Sequence, residues 1–234
     1  MQTKSNTDQI RERFDQDVER FSDLETGQTA TVDAALALNL IAHAAALTTP
    51  DAESVLDLGC GAGNFTLKLL ERMPHLSCTL VDLSLPMLER ARSRIGERAA
   101  VVQGDLRTVE LGEERHDIIL AAAVLHHLRS TEEWNAVCGK LFRALRPGGS
   151  LWIFDLVAHE IDSVQTLLWE RYGEYLTAFK GPEYRDQVFH YVEEEDSPIP
   201  ITTQCELLRM AGFAEIDILH KNTCFAALGA KKLA

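Results

Sequence analysis

The chain has 234 residues, of which 46% are hydrophobic and 25% charged, and its formal net charge is -13 at pH 7. This length suits one domain with a modest elaboration, and it is enough to bury a core without disulfides or metals. The excess of negative charge opposes binding to a phosphate backbone, so small molecules are expected as substrates ahead of nucleic acids.

The cysteines and the N-terminal segment indicate the compartment. The five cysteines include no CxxC pair, which favours reduced thiols over a disulfide framework or a zinc site. The first residues are polar and lack the apolar core of a signal peptide. The alanine-rich stretch at 34–47 is too short and too weakly apolar to cross a bilayer. We therefore expect a cytoplasmic protein without a membrane segment, as a monomer or a homodimer.

The predicted elements begin with two helices. Apolar residues at helical spacing predict a first helix over 9–22, a break at 25–28 and a second helix through Leu47. A regular alternation follows. The predicted strands are 54–58, 77–81, 100–103, 117–122 and 150–154, and the predicted helices are 65–72, 86–95 and 132–145. Such alternation is typical of parallel strands joined by crossover helices that cover both faces of the sheet.

After Asp155 the alternation stops. The segment that follows contains an aromatic-rich helix at 165–179 and an acidic run at 193–196, and then a helix at 203–210 and strands at 215–219 and 223–230 complete the chain. We therefore predict a doubly wound α/β fold with a mostly parallel, seven-stranded sheet. Its expected parts are an N-terminal helical cap (1–50), a Rossmann-like body (51–158 and 197–234) and a lid insertion (159–196).

A glycine cluster joins the first strand to the next helix. Gly59, Gly61 and Gly63 permit tight turning and close approach of a ligand, and ligands of open α/β sheets bind at the carboxyl ends of the strands. Asp82 ends the next strand, where a carboxylate can accept both hydroxyls of a ribose. The dinucleotide fingerprint GxGxxG would place its third glycine at Asn64, so the spacing here differs from that fingerprint.

The run at 57–63, Asp-Leu-Gly-Cys-Gly-Ala-Gly, resembles motif I of the class I methyltransferases that use S-adenosylmethionine (SAM). Segments 82–88, 104–106, 117–128 and 145–151 resemble that family's later motifs in order, and the strands at 214–230 match its antiparallel sheet end. The resemblance implies SAM as cofactor and S-adenosylhomocysteine as product. The implied cofactor-binding residues are Asp57, Gly59, Cys60, Gly61, Gly63, Asp82, Leu83, Met87, Asp105, Leu106 and Ala122.

In this resemblance Asp82 holds the ribose and Asp105 receives the adenine amino group. Each residue also has a structural alternative. The glycines can serve turn geometry alone, Asp82 can cap the following helix, and Asp105 can lie in an ordinary turn. The conjunction of these features in one order favours a SAM site.

Candidate catalytic groups are fewer, because methyl transfer from a sulfonium depends mainly on alignment. A base is needed only when the acceptor carries a proton that must leave. His126 and His127 follow the fourth strand and Asp155 ends the fifth, so all three are candidates; packing, capping or solvation are the alternatives. No metal is predicted, since adjacent histidines do not share a helix face as an i, i+4 pair does.

The insertion at 159–196 is where the family builds its acceptor lid. Tyr172, Arg185 and Tyr191 are candidate substrate residues, since arginine suits bidentate binding of a carboxylate. The helical spacing of the aromatic residues also fits a packed core, and Arg185 also fits a surface salt bridge.

A looser resemblance connects the chain to the carboxy-SAM synthases of tRNA wobble-uridine modification. It rests on Phe14-Asp15-Gln-Asp17, the long helix before motif I, and the tail at 210–225. It implies formation of carboxy-SAM from SAM and prephenate, with a lid arginine, Arg185, holding the added carboxylate. The glycine loop departs from that family's form. The main prediction is a SAM-dependent methyltransferase with a small-molecule acceptor; carboxy-SAM synthesis and SAM binding without catalysis are the alternatives.

Overall fold

The computed structural model describes residues 4–22 and 30–234, so the predicted break at 25–28 lies outside the described residues. The helices are α1 (Thr7–Gln16), α2 (Val18–Ser22), α3 (Ala34–Thr48), α4 (Asn64–Leu70), α5 (Leu85–Ile95), α6 (Thr131–Ala144), α7 (Asp162–Lys180), α8 (Pro182–Glu195) and α9 (Ile201–Ala211). The strands are β1 (Ser54–Leu58), β2 (Ser77–Asp82), β3 (Ala99–Gln103), β4 (His116–Ala122), β5 (Leu145–Leu156), β6 (Glu215–Asn222) and β7 (Phe225–Lys231).

The strands form one seven-stranded sheet in the order β3-β2-β1-β4-β5-β7-β6. The pairs among β1 to β5 are parallel, whereas β7 runs antiparallel to both of its neighbours. Apolar side chains on the two faces of the sheet form two core clusters, one with α3 and α4 and one with α6 and α9. The predicted doubly wound, mostly parallel sheet is therefore confirmed.

Local sequence signals set where the helices begin above the carboxyl ends of the strands. Ser84 caps α5, because its hydroxyl accepts from the backbone N–H of Met87, and Pro86 stands in the first turn. Ser130 caps α6 in the same way. Gly63 precedes α4 with a φ of 82°, which favours glycine. The first residues of α4, α5 and α6 therefore hold the loops after β1, β2 and β4 at one edge of the sheet.

Three elements differ from the prediction. The single helix predicted over 9–22 is two helices, α1 and α2, because α1 ends at a C-cap on Asp17. Strand β5 begins at Leu145, and the segment at 146–149 is a bulge between its pairings with His116 and Ile118 rather than a turn outside the strand. Helix α8 was not predicted, because the segment at 182–195 carries a long acidic run and no clear apolar stripe. Helices α7 and α8 pack together as a hairpin.

The N-terminal helices and the α7–α8 hairpin meet over the carboxyl edge of the sheet. Arg13 of α1 pairs with the buried carboxylate of Glu195 at 2.7 Å, and Ser5 donates to the same carboxylate. Tyr172 of α7 donates its hydroxyl to the carbonyl of Ala30 at 2.8 Å. These contacts enclose the space above the glycine loop. Within the described part of the chain, no helix combines the length and apolar character that crossing a membrane requires.

Candidate functional site

The three glycines of the loop have different surroundings. A Cβ at Gly59 would lie 2.4 Å from the side chain of Val124, and one at Gly63 would lie 3.0 Å from Ile95. Packing therefore explains glycine at those two positions. A Cβ at Gly61, whose φ is 50°, would meet none of the described heavy atoms within 4 Å. Glycine at position 61 faces open space, as expected where a ligand approaches the backbone.

Asp82 lies beside the glycine loop at the end of β2. One carboxylate oxygen accepts from the backbone N–H of Gly61 at 2.8 Å, and the other accepts from that of Ser84 at 2.9 Å. Burial raises the pKa of Asp82 above its usual value. Each oxygen keeps a lone pair, so the carboxylate can still accept hydrogen bonds from a ligand.

Asp57 lies beneath the loop at the end of β1. Its Oδ2 accepts from the hydroxyl of Thr66 at 2.6 Å. Its Oδ1 is buried and has no hydrogen-bond partner among the described residues. Burial raises the pKa of Asp57 to about 6. The unpaired oxygen is the kind of group that a bound polar ligand or a water satisfies.

A small pocket of about 90 Å³ lies between the loop and α1. Five of the predicted cofactor residues line it, namely Gly59, Asp82, Leu83, Asp105 and Leu106. Met87 and Cys60 are instead buried in the core, because Met87 points inward from α5 and Cys60 points beneath the loop. Ala122 is not among the lining residues, whereas the next residue, Ala123, is.

Asp105 is tied to the N-terminal helix through Arg107. The Arg107 Nε donates to Asp105 Oδ1 at 2.9 Å, and its Nη2 donates to the hydroxyl of Thr7 at 2.6 Å. Burial raises the pKa of Asp105, but the hydrogen bonds and charge of Arg107 outweigh burial and hold it below its usual value. Asp105 is therefore a charged acceptor at the rim of the pocket.

A larger cavity of about 310 Å³ adjoins the small pocket, and the two share Phe14, Ala123 and His127 as walls. Ala123 has a φ of 50°, a strained backbone geometry that clusters at functional sites. The cavity is rich in aromatic rings. These rings are Phe14, Phe154, Tyr172, Tyr184, Tyr191 and Phe225.

One wall of the cavity is polar and consists of His126, His127, Asp155 and Asp196. Asp155 accepts from the backbone N–H groups of Leu125 and His126 at 2.8 and 3.2 Å, and its Oδ1 pairs with Nδ1 of His126. Asp196 Oδ1 lies 3.5 Å from His126 Nε2 and 3.4 Å from His127 Nδ1. The structure thus brings the predicted His126, His127 and Asp155 together and adds Asp196 from the end of α8.

The charges of this polar wall are interdependent. Burial lowers the pKa of His126, but the charges of Asp196 and Asp155 outweigh burial and raise it to about 9. Burial, and then the charge of His126, hold the pKa of His127 well below its usual value. Burial raises the pKa of Asp196 to about 6. The two neighbouring histidines therefore differ sharply in their affinity for a proton.

Comparison with known proteins gives the family. The family described as "Methyltransferase domain" matches residues 55–149. A carboxy-S-adenosyl-L-methionine synthase of Chromohalobacter salexigens is 32% identical over 186 residues, which are 76% of this chain and 68% of that protein. The chain belongs to the class I SAM-dependent methyltransferases.

Other members of the family are similar over much of the chain. A demethylmenaquinone methyltransferase of Lactococcus lactis is 28% identical over 70% of this chain and 67% of that protein. Some curated relatives match over a smaller share of their own length, 35% in one case. The solved structure of a Burkholderia thailandensis 1,6-didemethyltoxoflavin-N1-methyltransferase, with bound 1,6-didemethyltoxoflavin and S-adenosylhomocysteine, has a TM-score of 0.65 at 19% identity and covers 100% of this chain and 93% of that one.

This class I methyltransferase is a SAM-dependent enzyme, and the residues present fit SAM. The open space before Gly61 leaves room for the ligand. Asp82, which the sequence predicts to hold the ribose, lines the pocket, and the unpaired oxygen of Asp57 can accept a further hydrogen bond. Asp105, which the sequence predicts to receive the adenine amino group, and Leu106 line the same pocket.

The candidate substrate residues separate into two groups. Tyr172 and Tyr191 line the larger cavity. Arg185 is not among the lining residues, and its guanidinium pairs with the neighbouring Asp186 at 2.7 Å. The expected role of Arg185 in holding a substrate carboxylate stays a prediction, and its ion pair with Asp186 argues against that role.

Replacing Arg185 with leucine is expected to leave SAM affinity within about twofold, since an exposed ion pair is worth only about 0–1 kcal/mol. Arg13→Leu is the contrasting variant. It leaves Glu195 buried without its cation, which typically costs about 3–5 kcal/mol. Thermal melting measures the stability of the two variants, and calorimetric titration measures their affinity for SAM. A tenfold loss of affinity in the Arg185 variant would contradict this placement.

Sequence reasoning missed several cavity residues. Arg13, Asp17 and Arg20 come from the N-terminal helices, and Asp196 comes from the acidic run. The available signal was the Phe14–Asp17 segment, whose layout resembles that of the carboxy-SAM synthases. An acidic run normally indicates a solvated face, and only the fold shows that Asp196 is 5% exposed.

Proposed function

We propose that this enzyme transfers the methyl group of SAM to a small molecule that binds in the larger cavity. The observation that carries the proposal is the junction of the two spaces, in which Phe14, Ala123 and His127 are walls of both. A ligand in the cavity would thus lie beside the cofactor pocket. The cavity volume of about 310 Å³ is at the lower end of the range for small-molecule sites.

The aromatic lining supports a flat, largely apolar acceptor. Rings from both the N-terminal cap and the α7–α8 hairpin face the cavity, and aromatic rings stack on flat ligands in offset or edge-to-face geometry. We assign residues 1–50 as the cap and 159–196 as the lid that exclude water from the reacting atoms. A cytoplasmic location and a homodimer stay predictions from the sequence.

In this mechanism SAM supplies a methyl group on a positively charged sulfur, and its departure leaves a neutral thioether. Asp82 and the backbone around Gly61 hold the cofactor in place. The walls of the cavity align the acceptor, and alignment supplies much of the rate. An acceptor that carries a proton would release it toward His127 or Asp196 of the polar wall, because His126, with its raised pKa, already holds a proton.

A second candidate function is synthesis of a carboxylated SAM. The match to a carboxy-S-adenosyl-L-methionine synthase extends over 76% of this chain, and two cations of the cap, Arg13 and Arg20, line the cavity. A buried carboxylate on a ligand requires such a partner. The reading as a SAM-binding protein without catalysis is less well supported, because an acceptor-sized cavity is present.

Mass spectrometry of the ligand that remains bound through purification separates these functions. SAM or S-adenosylhomocysteine supports the methyltransferase, and carboxy-SAM supports the second candidate. The three compounds, SAM, S-adenosylhomocysteine and carboxy-SAM, differ from one another in mass. Absence of any adenosyl ligand, together with no calorimetric binding of added SAM, would contradict both.

Filling the cavity tests the location of the acceptor. Val188→Trp places an indole in the space, and we expect it to reduce methyl transfer to aromatic hydroxyl or amine acceptors at least a hundredfold while SAM affinity stays within about threefold. Release of S-adenosylhomocysteine is the measurement. His190→Trp is the matched control, because His190 is exposed on the same helix. Equal transfer rates in the two variants would place the acceptor elsewhere.

A further inference from the structure

We propose that His126, His127 and Asp196 form a binding site for a divalent transition-metal ion in the polar wall of the cavity. One ligand atom from each residue lies within 4.8 Å of the other two. The set of two histidines and one carboxylate is typical of sites for Zn²⁺ and Fe²⁺ that keep open positions for other ligands.

The distances suit a metal better than hydrogen bonds. Asp196 Oδ1 lies 3.5 Å from His126 Nε2 and 3.4 Å from His127 Nδ1. Hydrogen bonds between nitrogen and oxygen are shorter, at about 2.7–3.2 Å. Two ligand atoms that are each about 2.1 Å from a tetrahedral ion lie about 3.4 Å apart. These two separations therefore match a shared ion, and the third, between the two histidine nitrogens, is no more than 4.8 Å.

The same atoms are unsatisfied. His127 Nδ1 and Asp196 Oδ1 are buried, and neither has a hydrogen-bond partner in the described part of the chain. Buried polar atoms without partners are rare in folded proteins and often mark an ion or a water. Here two of them face each other across 3.4 Å, which is unfavourable when both are electron-pair donors. A cation between them removes that conflict.

The outer contacts of the histidines are those of metal ligands. Asp155 holds His126 through Nδ1, which leaves Nε2 directed at Asp196. The His127 ring lies beside the backbone carbonyl of Glu195, which favours the protonated ring and so raises its pKa. Metal-bound histidines almost always donate their second ring N–H to a carboxylate or a carbonyl in this way. The ring of His126 is thus oriented by Asp155 before any ion binds.

The fold explains why adjacent histidines can act together. His126 and His127 lie in a short 3-10 turn after β4, so both rings reach the end of α8. The prediction from sequence that no metal is bound considered the spacing of histidines along one helix and did not consider Asp196. That prediction is untested, and the geometry of the three residues argues against it. An oxygen of the acceptor would complete the coordination from the cavity side, where the ion would stabilise its deprotonated form; this last step rests on the proposed function.

The test uses the full chain after dialysis against a chelator, titrated calorimetrically with zinc chloride. We expect one Zn²⁺ per chain with micromolar or tighter affinity and a rise in the melting temperature on adding Zn²⁺. Asp196→Asn and His127→Gln should each weaken binding at least tenfold. His190→Gln is the matched control, since it removes an imidazole from an exposed pair with Glu194, and it should bind Zn²⁺ as the original chain does.

SAM affinity, measured on the same samples, keeps this test separate from the proposed function. If the original chain binds SAM but no Zn²⁺, the metal site is overturned and the methyltransferase assignment stands. Zn²⁺ binding that survives both Asp196→Asn and His127→Gln, or that is lost in His190→Gln, would place the ion elsewhere and also overturn the site. If one variant does not fold, the other variant and the melting temperature of the original chain decide.

Discussion

Replacing Gly61 with valine is expected to lower SAM affinity more than a hundredfold while the protein remains folded. A Cβ at this position meets none of the described atoms within 4 Å, so the branched side chain would occupy the space that the cofactor needs. The φ of 50° adds backbone strain of about 1–2 kcal/mol, as for other residues forced into the left-handed region. Calorimetric titration with SAM and circular dichroism are the measurements.

Gly148→Val is the control for that strain. Gly148 also has a positive φ, 81°, and a Cβ there meets no described atom within 4 Å, but it lies in the bulge of β5 away from the pocket. The two variants should lose similar thermal stability, and only Gly61→Val should lose SAM binding. A folded Gly61→Val protein with full SAM affinity would show that the cofactor does not approach this glycine.

Replacing Asp82 with alanine should weaken SAM binding by about 3 kcal/mol, a factor of about a hundred. Hydrogen bonds to a charged group are worth about 1.5–3 kcal/mol, and about 1.4 kcal/mol corresponds to tenfold in affinity. The change removes the acceptors for the ribose and also the partner of the Gly61 N–H, which positions the loop. Titration with S-adenosylhomocysteine gives the loss without turnover.

Asp82→Asn separates the two contributions of the carboxylate. The amide keeps one oxygen and the size of the side chain, so it should lose less affinity than alanine. Asp117→Ala is a further control, because Asp117 is a carboxylate paired with Arg146 at the opposite end of β4. Affinity that is equal in Asp82→Ala and in the original chain would remove Asp82 from the cofactor site.

The fold was largely predictable because its strands are buried on both faces. Short apolar runs between glycine and proline signals located β1 to β4 within about one residue. Prediction failed where local sequence and tertiary context disagree. The Pro147–Gly149 segment indicates a turn, yet pairing with β4 and β7 on either side keeps it within β5. Helix α8 has an acidic end that is stabilised by cap contacts far away in the sequence.

The cofactor side of the site was more predictable than the acceptor side. The loop residues and Asp82 belong to one continuous unit of β1, α4 and β2, so their spacing and the family resemblance located them. The cavity is built from the cap, β4, β5 and the lid, and its decisive side chains are far apart in sequence. Nothing in the sequence around Asp196 or Arg13 indicated that these side chains line the cavity. For Arg185 the sequence left two roles open, a substrate contact and a surface salt bridge, and the structure shows an ion pair with Asp186.

The position of β7 has a consequence for the order of folding. It pairs antiparallel with both β5 and β6, so β6 reaches the rest of the sheet only through a strand that follows it in the chain. During synthesis, β1 to β5 can pair while the two later strands are still missing. The side of β5 that β7 will cover then stays an open edge, and unpaired edges promote association between chains. Folding yield should therefore depend most on how quickly the final hairpin docks, after the cofactor pocket itself has formed.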